Sequence, residues 1–306
     1  MAIRKIFLSV GAMKAGTTFL YSALKDHPDL HFTPEKELHF FAEFGGLQGR
    51  LNKPLIPNLK DQLRRTFSDK REFLSKEFRI QRMRTVLKNR YRNVDKADKI
   101  YDAMLWYTEK YLSDPIDEKW YMSAYEGLGD RYACDFSNYN ALLDDNSWSY
   151  IKSLADELKV IYILRHPVER LWSHIKFHYV QSGRADELHN LSQKDVRALL
   201  KNADMSSHAR YGHIVESLQK NLSESQLKIV CFEELVSQFQ QSMFSLETFL
   251  DIEHLSYKKI DPNRRINAGN EMQIPPYISQ EIRKAVRPEL EKLTSLKIDF
   301  PAGYFD

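Results

Sequence analysis

The sequence predicts an α/β domain with a mostly parallel central sheet flanked by helices, a P-loop-like nucleotide fold carrying a helical insertion over residues 46–129. Three observations predict it. Short apolar runs near Ile6, Tyr132, Ile161 and Ile229 read as buried strands, and helical patterns alternate with them. The first run, Ile6-Phe7-Leu8 with Val10, breaks at Gly11 into a loop that holds Lys14 and closes on Gly16-Thr17-Thr18, where a helix should open. The run over 159–164 passes at once into Arg165-His166-Pro167, and Pro167 suits the first position of a further helix.

Composition narrows the class. The chain has 306 residues, 42% hydrophobic and 28% charged, which is ordinary for a globular protein with a full core. A net charge of +3 does not suggest wholesale nucleic-acid binding. Cys134 and Cys231 both fall in predicted strands and read as buried thiols rather than a disulfide or a metal pair. Met1 leads almost directly into the first strand, and no apolar run approaches the length of a membrane span, so the expected location is the cytoplasm. There is no repeat, no low-complexity tract and no linker that divides the chain.

Taken in order, the loop leads into a helix over 17–25 that ends at Asp26-His27-Pro28, and a short extended piece follows over 30–32. The next segment, Glu35-Lys36-Glu37-Leu38-His39-Phe40-Phe41, sets ionisable groups beside a pair of aromatics, where burial tunes a carboxylate or imidazole for use as a general base. If it is extended, Glu37 and His39 share a face. A capped helix start with a solvated charged face is the alternative. Residues 59–100 carry fourteen Lys/Arg against six Asp/Glu with apolar residues at helical intervals, which predicts helices with a solvated basic face or a surface for an anionic acceptor or membrane headgroups. Residues 101–125, with Trp106, Tyr107, Trp120 and Tyr121, read as more helix, its aromatics either core or cleft wall. Then come a strand over 132–136, a helix over 147–158, the strand over 159–164 and a helix over 168–179 bearing Arg170, Trp172 and Ser173. Helices are expected over 195–202, 209–221 and 238–250, with a strand over 227–232. A polar glycine-bearing loop over 263–270 and a last helix close the chain.

The loop after the first strand has the chemistry of an anion cradle. Free backbone N–H groups at a helix N-terminus favour a phosphate, and glycine lets the backbone approach it. Gly11 and Gly16 match the P-loop spacing G-x-x-x-x-G-K-[ST], but Thr17 stands where the nucleotide-triphosphatase lysine belongs, and the lysine sits inside the loop at Lys14. That points away from triphosphate chemistry. In an open parallel sheet ligands gather beyond the carboxyl ends of the strands, so Arg165 belongs on the same rim as Lys14.

These residues resemble those of a family. Gly11-Ala12-Met13-Lys14-Ala15-Gly16-Thr17-Thr18 is similar to the 5′-phosphosulfate loop of sulfotransferases that use 3′-phosphoadenosine 5′-phosphosulfate (PAPS), and Ile163-Leu164-Arg165-His166-Pro167 followed by Ser173 resembles their 3′-phosphate motif. The segment from Glu35 to Phe41 looks like the acid-bearing stretch of the bacterial and heparan-sulfate-like branch. The resemblance spans 5–41 and 130–250. It implies one sulfotransferase domain over 1–306, with the region 46–129 shaping the acceptor site. It also implies a nucleotide-binding transferase that moves a sulfuryl group from PAPS to an acceptor hydroxyl or amine, in line and with a general base, leaving 3′,5′-adenosine bisphosphate and requiring no metal. Lys14, Ala15, Gly16, Thr17 and Thr18 would hold the 5′-phosphate and sulfuryl group, and Arg165 and Ser173 the 3′-phosphate. Arg264, Arg265 and Asn267 are secondary donor contacts, with Arg210 and Tyr211 behind them. Glu37 would be the base, with His39 positioning the acceptor or serving in its place. The acceptor would be a carbohydrate or another hydroxylated metabolite, and peripheral membrane contact stays open. Heparan-sulfating members often carry a lysine before a serine-proline-tyrosine element; here Asp135 or Phe136 stands ahead of Ser137, which speaks against a heparan-like polyanion. The competing readings are a P-loop kinase or ATPase, which wants a lysine at Thr17 and a magnesium-binding aspartate, and a non-catalytic nucleotide-binding protein.

Overall fold

The computed structural model describes residues 3–45, 47, 74–90, 97–262, 272–296, 298, 300 and 304. Its centre is a five-stranded, wholly parallel sheet flanked by helices, in the order β2-β3-β1-β4-β5. The strands are β1 (Lys5–Ser9), β2 (Leu30–Phe32), β3 (Tyr132–Asp135), β4 (Glu157–Leu164) and β5 (Leu227–Cys231). β1 lies in the middle, with Leu8 level with Asp135 on one side and Val160 on the other. Near-continuous apolar runs such as Ile6-Phe7-Leu8 and Val160 to Leu164 are what a parallel sheet covered on both faces demands, and these residues are buried. Because all five strands run the same way, the segments after Ser9, Phe32, Asp135, Leu164 and Cys231 leave from one rim.

The strands follow the sequence reading with one addition and one shift. The extended piece over 30–32 is a true edge strand paired to β3. The helix expected over 147–158 is shorter: α6 spans Asp145–Ser153, because the Asp144 side chain accepts from the Ser147 N–H and fixes the start, and Glu157 already pairs with Lys5 in the sheet. Ahead of it lie α1 (Thr17–Leu24), α2 (Phe40–Phe44), α3 (Lys76–Arg90), α4 (Ala97–Trp106) and α5 (Glu118–Ser123). After it come α7 (Pro167–Gln181), α8 (Gln193–Leu200), α9 (Ala203–Ser207), α10 (Tyr211–Asn221), α11 (Phe232–Ser237), α12 (Phe239–Leu250) and α13 (Pro276–Ser295). The helix expected over 195–202 is α8, begun two residues earlier by a capping box of Ser192 and Asp195, and the short α9 after it, capped by the Asn202 side chain, was not expected.

Most apolar side chains form one core around the sheet, and a second cluster packs α7 against α8 and α13 through Leu171, Ile175, Val196, Ile278 and Ile282. Of the aromatics, Tyr107, Trp120 and Tyr121 are core, and Trp106 is partly buried against it. Cys134 and Cys231 are buried free thiols. Of the basic region, α3 is described and residues 59–73 and 91–96 lie outside the described residues. No helix among the described residues is long and apolar enough to cross a membrane.

Candidate active site

The loop after β1 is bound into the sheet at its start and left open at its end. Ala12 N–H donates to Ile163 O at 2.8 Å, Ile163 N–H to Gly11 O at 2.8 Å, and Ala15 N–H turns back to Ala12 O at 3.1 Å. The Ala15 amide is therefore committed inside the loop. Gly16 has φ +94° and begins α1 with no side-chain cap; a Cβ there would run into the Phe232 ring, so only glycine lets the turn close against β5's exit. The first N–H groups of α1 consequently face the rim without a protein carboxylate in the first turn.

Cations crowd this opening. Lys14 sits at φ 67°, and its ammonium rests 4.2 Å from the centroid of the Phe177 ring on α7. Burial lowers the Lys14 pKa; Glu37 works the other way, and Arg165, Lys36 and Lys176 add to the lowering. Arg165 donates from Nη1 to Lys14 O at 3.2 Å and lies over Phe232, its Cζ 5.3 Å from the ring centroid. Lys36, 11% exposed, donates to Thr17 Oγ1 at 3.0 Å, Thr18 Oγ1 at 3.3 Å and Glu37 Oε1 at 3.0 Å. An anion arriving at the α1 N-terminus meets Lys14, Lys36 and both threonine hydroxyls together.

The acid-bearing segment bends over 34–36, is neither helix nor strand over 37–39, and enters α2 through His39 at φ 57°. Glu37 and His39 do share a face: His39 Nε2 stands 3.4 Å from Glu37 Oε2. Burial pushes the Glu37 pKa up, but Lys36, His39 and Arg82 together outweigh it and bring it down to about 2. Burial lowers His39 to about 4, against the opposing pull of Glu37. Both groups are thus unprotonated near neutral pH. The exit of β3 holds the segment from behind: Leu38 N–H donates to Asp135 Oδ1 at 3.3 Å, His39 N–H to Ser137 Oγ at 2.8 Å, and Ser137 Oγ–H to Asp135 Oδ1 at 2.5 Å. Burial raises the Asp135 pKa to about 7, partly offset by these donors. From the other side, buried Glu35 pairs with Arg82 of α3 and accepts from the Tyr107 hydroxyl at 3.4 Å.

The structure brings Lys14, Gly16, Thr17, Thr18, Glu37 and His39 into one site, with Arg165 at its edge. Ser173 is half-buried two turns into α7. Tyr211 donates its hydroxyl to Arg165 O at 3.1 Å, whereas Arg210 turns to Glu289 of α13. Arg264, Arg265 and Asn267 lie outside the described residues. Sequence reasoning passed over Lys36, Asp135, Ser137 and Arg82. Lys36 was legible as a cation between two glutamates; Asp135 and Arg82 gain their places only when β3 and α3 fold against the segment.

A model of the sulfotransferase family matches residues 6–256. The chain belongs to that family. Among solved structures it is similar to a sulfotransferase from Alicyclobacillus acidocaldarius, at TM-score 0.60 and 19% identity with 99% of each chain covered. It is also similar to the sulfotransferase domain of the Synechococcus PCC 7002 olefin synthase, at TM-score 0.55 and 16% identity over 98% of this chain and 97% of that one. At these identities the likeness is one of fold. A curated relative, carbohydrate sulfotransferase 15 of Rattus norvegicus, is 23% identical over 200 residues, which is 60% of this chain and 29% of the rat protein's length.

Proposed function

We propose that this sulfotransferase moves the sulfuryl group of PAPS to a hydroxyl, or an amine, of a carbohydrate or other hydroxylated metabolite. The observation that carries the reading is the meeting of Lys14, Lys36 and the uncapped start of α1 with the Glu37–His39 pair, because it sets an anion cradle against a base with no triphosphate lysine at Thr17. The surplus of cations, the closeness enforced at Gly16 and the two threonine hydroxyls fit a phosphosulfate. Bound there, the donor supplies a sulfuryl group on a good leaving phosphate.

Lys14 leaves the Phe177 face and sets its charge on the bridge oxygen, stabilising the negative charge that grows there; such preorganised charge is the main protein contribution to transfers of this type. Lys36 shifts between the threonine hydroxyls and the sulfuryl oxygens, and in leaving Glu37 it frees Oε1 and raises that carboxylate's basicity. Glu37 then takes the acceptor proton as the oxygen attacks, with neutral His39 orienting the acceptor. Arg165 and Ser173 hold the 3′-phosphate. Asp135 and Ser137 keep the base segment in register, and the region 46–129 shapes the acceptor side.

Calorimetry tests the donor assignment directly. 3′,5′-Adenosine bisphosphate should bind and ATP with magnesium should not; binding of ATP-magnesium without the bisphosphate would overturn the reading.

A further inference from the structure

Behind His39 the structure encloses a group of polar side chains that the proposed transfer does not use. Arg170 on α7 is fully buried, and none of its three guanidinium nitrogens has a hydrogen-bond partner. One turn on, His174 is buried with Nδ1 unpartnered, and on the far side buried His208 has both ring nitrogens unpartnered. Asp204 lies between the two imidazoles, 4.0 Å from Nε2 of each, and accepts from the Tyr139 hydroxyl at 3.0 Å. The Tyr162 hydroxyl, near Arg170, is likewise buried without a partner. The cluster adjoins the site through ring contacts: His39 to Tyr139 at 5.7 Å and Tyr139 to His208 at 4.9 Å between centroids.

Buried polar groups are nearly always hydrogen-bonded, and an unpartnered buried charge is the most costly exception. Several orphaned buried groups on α7, β4 and the end of α9, gathered next to the reacting centre, are the mark of a site whose occupant completes them. The charge of that occupant follows from the lining. Arg170 is a permanent cation with a planar fork of donors that matches a carboxylate two-to-two. Burial depresses both histidines, which are therefore neutral, and the Asp204 carboxylate nearby disfavours a dianion such as a phosphate monoester. Desolvation also lowers the pKa of Arg170 itself, which an arriving anion would reverse.

We propose that this cluster is an acceptor subsite for a carboxylate, so that the substrate is a hydroxy acid whose carboxylate pairs with Arg170 while its hydroxyl lies between His39 and Glu37. The inference rests on the sulfuryl-transfer reading and deepens it by naming the acceptor class. Neutral His208 then adds a ring N–H to the same carboxylate and is a specificity-determining residue.

A series of ω-hydroxyalkanoates of increasing length, each beside its methyl ester, tests this with labelled donor. For at least one length the acid should exceed its ester in kcat/KM by about tenfold or more, the worth of one charge-assisted hydrogen bond. In Arg170→Gln that preference should vanish while affinity for 3′,5′-adenosine bisphosphate stays within about twofold; His208→Gln should lower it partially. An ester turned over as well as its acid at every length, or no turnover of any acid, overturns the proposal. So does a loss of bisphosphate affinity in Arg170→Gln, which would give this arginine to the donor. Should Arg170→Gln fail to fold, the wild-type comparison and His208→Gln still decide. Failure of the wild-type protein to bind the bisphosphate would instead sink the donor reading.

Discussion

Among the described residues two arginines are almost wholly enclosed, Arg79 on α3 and Arg170 on α7, and their surroundings are opposite. Arg79 donates to the carbonyls of Leu74 (2.9 Å), Tyr111 (2.6 Å) and Ser113 (2.9 Å), and to Asp114 Oδ1 at 2.5 Å. Every nitrogen of its fork has a partner, so it ties α3 to the turn that follows residue 111. Arg170 has none. The same side chain is thus an anchor in one region and an open valence in the other. What separates the two is whether backbone carbonyls and a carboxylate are folded around the fork or, as at Arg170, only the Tyr211 ring lies near it, 6.0 Å from Cζ to the centroid. The rim repeats the second pattern more mildly, with Lys14 parked on an aromatic face and Lys36 shared among two hydroxyls and Glu37.

That contrast is breakable by experiment. The largest effect belongs to the base. Glu37→Gln should slow single-turnover transfer by about 10²–10⁴-fold, the usual range for a positioned base, with bisphosphate affinity little changed. If Glu37→Gln turns over at the wild-type rate while His39→Asn is dead, the two roles exchange. The pH profile sharpens the same point. Glu37 is held down to about 2 and His39 to about 4, so both are ready bases at neutral pH, and kcat/KM should stay level as pH falls until it nears about 4. An acid limb centred near 7 would point to Asp135 instead, whose carboxyl burial raises to about 7.

The anchor comes next. Arg79→Met strands two buried carbonyls and a part-buried one and releases the half-exposed Asp114 carboxylate to water, and should cost about 2–5 kcal/mol of stability, read as a lowered denaturant midpoint. Arg170→Met should do the reverse of its namesake. Replacing an unpartnered buried cation by an apolar chain of similar length removes a desolvation penalty, so the variant should match or exceed wild-type stability by up to about 1–4 kcal/mol while losing the acid acceptor. Equal destabilisation by the two substitutions would erase the comparison.

The smallest effect is a difference of affinities at the edge of the rim. Arg165→Ala and Ser173→Ala should weaken binding of 3′,5′-adenosine bisphosphate more than that of 5′-AMP, by about 1.5–3 kcal/mol for the arginine and less for the serine. Equal losses for both nucleotides would remove these residues from the 3′-phosphate.

The sequence by itself determined the strands, the glycine loop with Lys14 in it, and the parallel direction that puts Arg165 on the same rim, because apolar runs, glycine and proline act through local sterics and periodicity. It also marked Glu37 and His39, which the non-helical backbone before α2 brings within 3.4 Å of each other. The end of the helix expected over 147–158 was less legible, since Glu157 enters the sheet through pairing with Lys5, a residue far away in the chain. Only the tertiary structure decided the rest. Lys36 bonds Thr17 and Thr18 because β2 lies beside β3 and carries its exit back over α1; Asp135 supports Leu38 across 97 positions of sequence. Arg79 and Arg170 look alike as arginines four residues into a helix. Which one is satisfied depends on the carbonyls that folding delivers to it, and a hydrogen-bond partner drawn from a distant segment leaves no local pattern to read.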